Sequence, residues 1–511
     1  MTSTRSSTVA DVLTRTATRH PDRVALRFAE RSWTYVELDR AASRAAGALL
    51  RLGLDKGDRV ATYGRNSDAY LIAFLACARA GLVHVPVNYA LTQGELAYLL
   101  EQSGSRVALV DPALRGQLDE SGVRLDHVLA LRDAEGSVLE LASSGEVPDE
   151  LAVEVDETDL VQLLYTSGTT SKPKGAMMTH RALVHEYLST IVALECREGD
   201  DPLHAMPLYH SAGMHVFLMP YLAVGATNTL IEAPDIPAIL RLVEEEHIGA
   251  LFLAPTVWVP LSQHAELATR NLSSLRKAFY GASIMPLPVL RRLQERLPGL
   301  AFYNCFGQSE IGPLATVLGP DEHEQRPESC GRSVLFVEIR VVDDDGVDVP
   351  PGELGEVVYR SPQLCTGYWD KPEETEAAFR DGWFRSGDLV RMDAEGYLTV
   401  VDRIKDVINT GGVLVASREV EDALYTHPAV AEVAVIGTPD DRWIEAITAF
   451  VVTTTEPAEV TEADLIDHAR SSLAGFKVPK HVHLVPELPR NQSGKILKRV
   501  LRDDLDAGDR D

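Results

Sequence analysis

The strongest constraint on the fold is a repeated alternation of apolar strand-like runs with amphipathic helical patterns. Between about residues 8 and 110, "TYVELDRAASRAAGALLRLGL" has helical apolar spacing, and "RVATYG", "LVHVPVN" and "RVALVD" have the pattern of short buried strands. A second run, about 160–300, alternates strands such as "VQLLYTS" and "ALFLAP" with helices such as "HRALVHEYLSTIVAL". Strands and helices in this order predict a large domain of layered α/β sheets with much parallel pairing.

The pattern changes near residue 330 to short strands separated by Gly, Pro and Asp turns, as in "VEIRVVDDDGVDVPPGELGEVVYRS". We therefore expect a β-rich subdomain over about 330–402, and a domain boundary near Asp402. The N-terminal domain is then 1–402, and 403–511 is a small α+β cap. The polar stretch 113–158 is expected to form surface connections.

Composition excludes several classes of function. The 511 residues carry a formal net charge of −27, which disfavours nucleic acid and anionic membranes as partners. The five cysteines lie far apart with no CxxC pair, which argues against a zinc site or a disulfide framework and favours the reducing cytoplasm. The first twenty residues have no secretory h-region, and the apolar stretch Ala250–Leu261 is too short to span a bilayer, so no integral membrane segment is expected.

The chemistry is concentrated in the loop "YTSGTTSKPKG", Tyr165–Gly175. Its glycine permits close backbone approach, its hydroxyls accompany backbone N–H groups, and Lys172 and Lys174 add positive charge, which together suit an oligophosphate. The apolar residues after Lys174 predict a strand, so the loop joins two strands and is not a Walker P-loop. A polar surface loop without a ligand is the alternative that composition leaves open.

This loop resembles the signature YTSGTTGxPKG of the adenylate-forming (AMP-binding) superfamily, which includes acyl-CoA synthetases, carrier-loading adenylation domains and firefly-type luciferases. Ser171 replaces the usual Gly. Further motifs follow in the family's order over nearly the whole chain: "PLYH" (207–210), "YGAS" (280–283), "FGQSE" (306–310), "GWFRSGDL" (382–389), "DRIKD" (402–406) and "PRNQSGKILKR" (489–499). The overall impression is closest to the bacterial fatty-acyl-CoA synthetases.

The resemblance implies an ATP-dependent ligase that joins a carboxylic acid to AMP and then passes the acyl group to coenzyme A. The small cap is expected to be mobile and to turn about a hinge at 403–406 between the two steps. By the same resemblance, Lys495 brings positive charge between the carboxylate and the α-phosphate, Glu310 holds Mg²⁺, Ser309 binds the α-phosphate and His210 forms a wall or gate of the acyl pocket. Lys498 is expected to be a solvated lysine.

The remaining residues are expected to contact ATP or CoA. Phe306 stacks on adenine, Asp388 binds the ribose hydroxyls, Arg403 supports the ribose or phosphate, Lys405 is the hinge, and Gly411 and Gly412 border the pantetheine tunnel, although Leu414 departs from the usual Asn. The full set of nucleotide-binding and CoA-binding residues is Thr166, Ser167, Gly168, Thr169, Thr170, Lys174, Gly281, Ala282, Ser283, Asn304, Phe306, Gly307, Asp388, Arg403, Lys405, Gly411 and Gly412. Basic residues of "FKVPK" (476–480) would lie near the nucleotide end of CoA.

The acyl pocket is expected to be lined by 210–217, 256–258 and 280–285, which are mostly apolar, so the acid has an uncharged fatty or aryl tail. Two alternatives remain open at this point. The acyl group could pass to a carrier protein or another nucleophile, or the chain could be an inactive nucleotide-binding homologue. A monomer and a homodimer are both compatible with the sequence, and Lys495 is a candidate site of acylation.

Overall fold

The computed structural model describes residues 7–148, 151, 153–166, 172–283, 285–411, 413–440, 442–454, 460–490 and 496–508. Four β-sheets organise these residues. The strands, in chain order, are β1 (Val24–Phe28), β2 (Arg31–Thr34), β3 (Arg59–Tyr63), β4 (Val83–Val87), β5 (Ser105–Val110), β6 (His127–Ala130), β7 (Leu160–Thr166), β8 (Lys174–Thr179), β9 (Pro202–His204), β10 (Asn228–Leu230), β11 (Ala250–Phe252), β12 (Lys277–Gly281), β13 (Ala301–Gly307), β14 (Leu314–Leu318), β15 (Arg332–Ser333), β16 (Glu338–Val342), β17 (Leu354–Arg360), β18 (Phe379–Arg380), β19 (Trp383–Met392), β20 (Leu398–Arg403), β21 (Ile408–Thr410), β22 (Val413–Val415), β23 (Val430–Asp440), β24 (Ile444–Thr453) and β25 (His481–Leu484).

The helices lie between and outside these sheets. They are α1 (Val9–Arg19), α2 (Tyr35–Leu50), α3 (Asp68–Ala80), α4 (Gln93–Ser103), α5 (Arg115–Glu120), α6 (Val138–Ser144), α7 (His180–Ala193), α8 (Met219–Val224), α9 (Ile236–Glu245), α10 (Pro255–Gln263), α11 (Leu287–Arg296), α12 (Pro372–Ala378), α13 (Ser417–Tyr425), α14 (Glu462–Ser472) and α15 (Lys498–Gly508). A π-helical segment, Ala212–Leu218, precedes α8. In the described parts of the chain, no helix is both long and apolar enough to cross a bilayer.

The large domain contains two mainly parallel sheets, as the alternation predicts. One has the order β6-β5-β3-β4-β7-β8, with only β8 antiparallel to its neighbour. The other has the order β15-β14-β13-β12-β11-β9-β10-β1-β2, with a parallel centre and antiparallel edges. The prediction of layered α/β sheets is confirmed.

Helix α3 lies at the centre of the largest core. Its sequence DAYLIAFLACARA is apolar on nearly every face, so it must be surrounded by protein, and it is buried along almost its whole length. Ser67 caps its first turn, and Gly81 ends it in the left-handed conformation at φ 66°. The helix packs with α1, α2 and α6, which fixes the layers around it.

The expectation for residues 113–158 is wrong in part. Strand β6 extends the six-stranded sheet beside β5, and α6 packs against α2 and α3. The apolar residues that make this possible, Leu131, Val138 and Ala142, are too few and too scattered to produce a clear periodic pattern.

The two remaining sheets are small. Strands β16, β17, β19, β18 and β20 form an antiparallel unit over 338–403, close to the predicted β-rich subdomain. Strands β22, β21, β24, β23 and β25, with α13, α14 and α15, form the C-terminal α+β unit.

Candidate active site

The signature loop connects two neighbouring strands, β7 and β8. Strands β7 and β8 pair antiparallel with Thr166 opposite Lys174, which confirms the prediction of a loop between two strands. Ser167, Gly168, Thr169, Thr170 and Ser171 lie outside the described residues, so their phosphate contacts stay predictions. The described flanks nevertheless place one hydroxyl and one ammonium group at the mouth of the loop.

Glu310 is the carboxylate on which this region converges. It lies in a 3₁₀ turn, Ser309–Ile311, directly after β13, and is 7% exposed. Its Oε1 accepts hydrogen bonds from the Thr166 hydroxyl at 3.2 Å and from the Tyr368 hydroxyl at 3.1 Å. Both donors are neutral, so the negative charge of the carboxylate remains available for a cation.

Tyr368 joins this carboxylate to the lysine of the loop. The Lys174 ammonium lies 5.1 Å from the centroid of the Tyr368 ring, within cation–π distance. Burial, reinforced by the nearby Glu310 charge, raises the pKa of Tyr368, so its hydroxyl stays protonated and donates. Residues that are far apart in sequence thus form a single polar cluster.

The residues of the cluster fit a magnesium ion carried by a nucleotide. Mg²⁺ is usually held by one or two carboxylates together with substrate phosphates rather than by a full protein cage. In the described ranges, no group of three or more His, Cys, Asp or Glu side chains could hold a metal by itself. One buried carboxylate with a hydroxyl-rich loop is compatible with an ion shared with the triphosphate.

The carboxyl ends of β12 and β13 supply the adjacent wall. These strands are parallel with Tyr280 opposite Asn304, so Gly281–Ser283 and Asn304–Gly307 lie at the same sheet edge. A Cβ on Gly281 would lie 2.1 Å from the Cys305 carbonyl oxygen, so the close approach of the strands requires glycine. Ala282 follows at φ 64°, a strained value for a residue with a Cβ.

The predicted acyl gate lies against the Glu310 turn. The Ser211 hydroxyl is 2.9 Å from the Ser309 hydroxyl, which places His210 and the π-helical segment beside the expected phosphate site. Within that segment, His215 is fully buried and hydrogen-bonds Gln162 and Tyr187. Burial lowers the pKa of His215 to about 3, so it is neutral and structural.

An aromatic stack lies deeper along the same segment. The rings of Phe217 and Phe252 are stacked with centroids 4.0 Å apart, and Phe279 lies 5.2 Å from Phe217. All three side chains are buried. Trp258, which was expected to line the acyl pocket, is fully buried in a different core cluster and donates its indole N–H to the Phe279 carbonyl.

The pairing of β19 with β20 in the β-rich sheet sets the position of Asp388. It lies opposite Arg403 on neighbouring strands, and Nε of Arg403 is 2.7 Å from Oδ1 of Asp388. Nη1 of Arg403 also donates to the Ser386 carbonyl at 3.2 Å. Two of the predicted ribose residues are therefore adjacent, with the arginine orienting the buried carboxylate.

The predicted hinge coincides with a short 3₁₀ turn, Ile404–Asp406, which includes Lys405. Asp402, on the strand before the turn, accepts hydrogen bonds at 2.7 Å from both the backbone N–H and the hydroxyl of Ser417, on the helix after it. Nη1 of Arg418 donates to the Val400 carbonyl at 2.6 Å. These hydrogen bonds link the segments on either side of the turn.

Lys498 is not the solvated residue that the sequence predicts. Its ammonium donates to the Ser417 hydroxyl at 2.6 Å and lies 2.8 Å from the Glu421 carboxylate. Burial opposes its charge, but the neighbouring Glu421 and Asp402 carboxylates outweigh burial and raise the pKa of Lys498. The prediction was wrong because the amphipathic pattern of α15 does not identify which partners its buried face meets.

Lys495 lies outside the described residues. The stretch that contains it, 491–495, is bounded by a bridge between Arg490 and Ile496, and the Leu497 N–H donates to the Pro489 carbonyl at 2.8 Å. The residues that flank this stretch on its two sides are therefore adjacent in the cap. The catalytic role of Lys495 stays a prediction.

A cationic and aromatic cluster lies beside the predicted pantetheine turn. The Gly411 N–H donates to the Trp443 carbonyl at 2.5 Å, and Gly411 has φ 64°. Arg442 and Lys480 lie 4.9 and 5.4 Å from the Trp443 ring centroid. Gly412 lies outside the described residues.

Sequence reasoning missed Tyr368, which contacts the predicted site residues Lys174 and Glu310. Tyr368 follows a turn in "SPQLCTGYWD", where nothing local distinguishes it from an ordinary packed tyrosine. Its importance comes from a hydrogen bond to a residue 58 positions away, which no periodicity indicates.

Comparison with known proteins agrees with this geometry. Residues 13–369 match the AMP-binding enzyme family, and residues 419–495 match the AMP-binding enzyme C-terminal domain. The chain is 38% identical over 491 residues to a feruloyl-CoA synthase of Amycolatopsis, covering 96% of this chain and 97% of that protein. It is 34% identical over 483 residues to a long-chain-fatty-acid–CoA ligase of Mycobacterium tuberculosis, covering 93% of each chain.

A solved structure shows the same architecture over the full length. The anthranilate CoA ligase in complex with anthranoyl-AMP superposes with a TM-score of 0.90 and 26% sequence identity, covering 98% of each chain. Both the large domain and the small C-terminal domain are therefore shared with a protein whose structure contains an acyl-adenylate.

Proposed function

The chain belongs to the AMP-binding enzyme family, and from this premise we propose that it is an ATP-dependent acyl-CoA synthetase. It joins a carboxylic acid to AMP with release of pyrophosphate, then transfers the acyl group to CoA with release of AMP. The observation that carries the proposal is the convergence of Thr166, Lys174, Glu310 and Tyr368 at the mouth of the signature loop.

The first step brings two anions together. A carboxylate oxygen attacks the α-phosphorus of ATP, the bond from that phosphorus to the pyrophosphate oxygen breaks, and a mixed anhydride forms. Such a reaction needs positioned positive charge more than a general base. Mg²⁺ bound to the triphosphate supplies part of that charge, and we propose that Glu310 holds it.

Chain groups supply the remainder. We propose that Lys174, at the end of the signature loop, contacts the phosphates, and that Lys495 is carried by the cap to the α-phosphate. We propose that Asp388, which Arg403 orients, accepts hydrogen bonds from the ribose hydroxyls. Asn304, Phe306 and Gly307, with Gly281–Ser283, would border the adenine.

The second step needs a thiol at the same acyl carbon. The CoA sulfur attacks the acyl carbon, and AMP leaves with the oxygen that formerly belonged to the carboxylate. We propose that the cap turns about Lys405 and presents Gly411 and Gly412 to the pantetheine arm. The Arg442, Trp443 and Lys480 cluster beside Gly411 offers cations and a stacking surface to the nucleotide end of CoA.

Within the fatty and aryl acids, we propose that an aryl acid is the preferred substrate. The stacked rings of Phe217 and Phe252 are buried, and we propose that they form the floor of the acyl pocket, so that a long acyl chain would have to displace a buried aromatic pair. A planar ring needs less depth and can pack on aromatic edges. The 38% identity to a feruloyl-CoA synthase points the same way.

The test is AMP formation by the purified enzyme with a panel of acids, from acetate through ferulate to palmitate, with and without CoA. We expect AMP release that depends on CoA and is fastest with an aryl acid. AMP release that depends on another acyl acceptor instead of CoA would support the alternative of a carrier protein or another nucleophile. No acid-dependent pyrophosphate exchange with any acid would indicate an inactive homologue.

The depth of the acyl pocket can be tested by substitution. Phe252→Leu should raise the ratio of kcat/KM for decanoate to that for ferulate, because it opens the floor of the pocket. Phe302→Leu is the matched control, since Phe302 is also buried but belongs to another core cluster. Equal ratios in the two variants would contradict the proposed depth.

We further propose that the enzyme acts in the cytoplasm. Its five cysteines are all free and buried, which suits a reducing compartment.

A further inference from the structure

A carboxylate that the reaction does not touch lies under the Glu310 turn. Glu186, on α7, is fully buried. Its Oε1 accepts a hydrogen bond from the Leu314 backbone N–H at 3.1 Å and one from the Thr190 hydroxyl at 3.2 Å, and its Oε2 accepts one from Nε2 of Gln363 at 2.5 Å. All three donors are neutral.

Gln363 extends this contact across the same turn. It is fully buried, and Nε2 also reaches the carbonyls of Ile311 at 3.3 Å and Leu314 at 3.2 Å. Its Oε1 accepts from the Ser189 hydroxyl at 2.5 Å. The amide group therefore has its orientation fixed, with nitrogen toward Glu186 and the turn and oxygen toward Ser189.

The turn has little freedom to move away from this pair. A Cβ on Gly312 would lie 3.1 Å from Oε2 and 3.2 Å from Cβ of Glu186, so the backbone packs directly on the glutamate. Two residues after Gln363, the Cys365 N–H donates to the Glu310 carbonyl at 2.8 Å, and Tyr368 holds the Glu310 carboxylate. Glu186 and Gln363 thus pack against the turn, and the segment after Gln363 hydrogen-bonds both the backbone and the side chain of Glu310.

The energetics argue against a purely stabilising role. Burying a carboxylate without a cation is costly, and an apolar side chain of the same shape often serves stability at least as well. Burial raises the pKa of Glu186 well above its ordinary value, so the charged form is disfavoured. What the carboxyl group provides that an apolar group cannot is directional acceptor oxygens for the Leu314 N–H and the Gln363 amide. Those two hydrogen bonds fix the turn that presents Glu310.

We propose that Glu186, together with Gln363, is a positioning residue for adenylation, which holds the 308–314 turn so that Glu310 meets the metal–triphosphate. The inference rests on the proposed function and specifies how that site is organised. Neither residue contacts the reacting atoms. Their effect is exerted through Glu310, and so it should be confined to ligands that carry a metal-bound triphosphate.

The first test is Glu186→Gln, which keeps the shape but puts an amide NH₂ against either the Leu314 N–H or the Gln363 NH₂. We expect kcat/KM for MgATP in acid-dependent pyrophosphate exchange to fall by about tenfold or more, while CoA transfer from supplied acyl-adenylate stays within about twofold. Calorimetric titration should show weaker MgATP binding and unchanged binding of metal-free AMP. Thr190→Val is the matched control, because it removes a donor to Glu186 that does not belong to the turn.

A second readout does not require activity. Hydrogen exchange at the Leu314 amide should be at least about tenfold faster in Glu186→Gln than in wild type or Thr190→Val, since the acceptor is lost. Should Glu186→Gln fail to fold, Gln363→Met is expected to weaken MgATP binding in the same way while leaving AMP binding unchanged. Parallel loss of MgATP binding, AMP binding and both half-reactions would overturn the proposal, as would unchanged MgATP binding. A wild-type chain that binds MgATP but activates no acid would refute the proposed function while leaving this binding test valid.

Discussion

Removing the Tyr368 hydroxyl tests the Glu310 cluster with the least disturbance. In Tyr368→Phe the ring remains, so packing and the contact with the Lys174 ammonium are retained. The one loss is the hydrogen bond at 3.1 Å to Oε1 of Glu310, an oxygen that also accepts from Thr166 at 3.2 Å. The carboxylate should become less well oriented without losing its charge.

The expected size follows from the type of hydrogen bond. Hydrogen bonds to charged groups contribute about 1.5–3 kcal/mol. Because Thr166 still donates to the same oxygen, the lower end applies, and about 1.5 kcal/mol corresponds to roughly a tenfold change in rate. The loss should appear in kcat/KM for MgATP in the adenylation half-reaction, and transfer to CoA from supplied acyl-adenylate should be nearly unchanged.

Tyr359→Phe is the matched control. Tyr359 is a fully buried tyrosine of the β-rich sheet whose hydroxyl has no hydrogen-bond partner among the described residues. Its loss should change pyrophosphate exchange by less than about twofold. An equal change of pyrophosphate exchange in Tyr368→Phe and Tyr359→Phe, or an equal slowing of both half-reactions by Tyr368→Phe, would refute a specific role of the Tyr368 hydroxyl.

Three further predictions concern the cap and the core. Lys495→Ala should abolish most pyrophosphate exchange yet spare CoA transfer from supplied acyl-adenylate, and equal losses in the two assays would reject a cap that changes position between steps. Lys498→Met breaks a largely buried pair with Glu421 and should destabilise the cap by about 3 kcal/mol in calorimetric unfolding, whereas the exposed Arg499→Met should cost less than about 0.5 kcal/mol. Burial lowers the pKa of His204 to about 4 from an ordinary 6.5, so on acidification through this interval the unfolded chain binds a proton that the folded chain does not, and stability falls. Between pH 4 and 6.5, His204→Gln should therefore reduce the slope of the unfolding free energy against pH by about 1.4 kcal/mol per pH unit. An unchanged slope would show that His204 is not neutral in the folded protein.

The sequence predicts those parts of the fold that depend on local pattern. Strands β7 and β8 are recognisable because apolar runs flank a polar loop, and the alternation of strands and helices identifies the layered sheets. The wrong expectations concern residues whose environment is set at long range. Lys498 has the sequence context of a surface lysine, but its partners are Ser417 and Glu421, about 80 positions earlier.

The same distinction between local pattern and long-range contact applies to the residues of the candidate site. Glu310, Asp388 and Arg403 are identifiable because each belongs to a short motif with a resemblance to a known family. Tyr368, Glu186 and Gln363 lie outside the motifs quoted above, and Gln363 and Glu186 are 177 positions apart. A fully buried glutamate on α7 has no local signature, since the residues that satisfy it come from a turn and a loop of distant sequence.

The central claim is that the acid becomes covalently attached to AMP through one of its own oxygens before the thiol attacks. Incubating the enzyme with ATP, CoA and an aryl acid labelled with ¹⁸O in its carboxylate, followed by mass spectrometry of the nucleotide, tests this directly. The account predicts AMP that contains one ¹⁸O atom and unlabelled pyrophosphate. ADP with labelled inorganic phosphate would show activation through an acyl phosphate and would contradict the account.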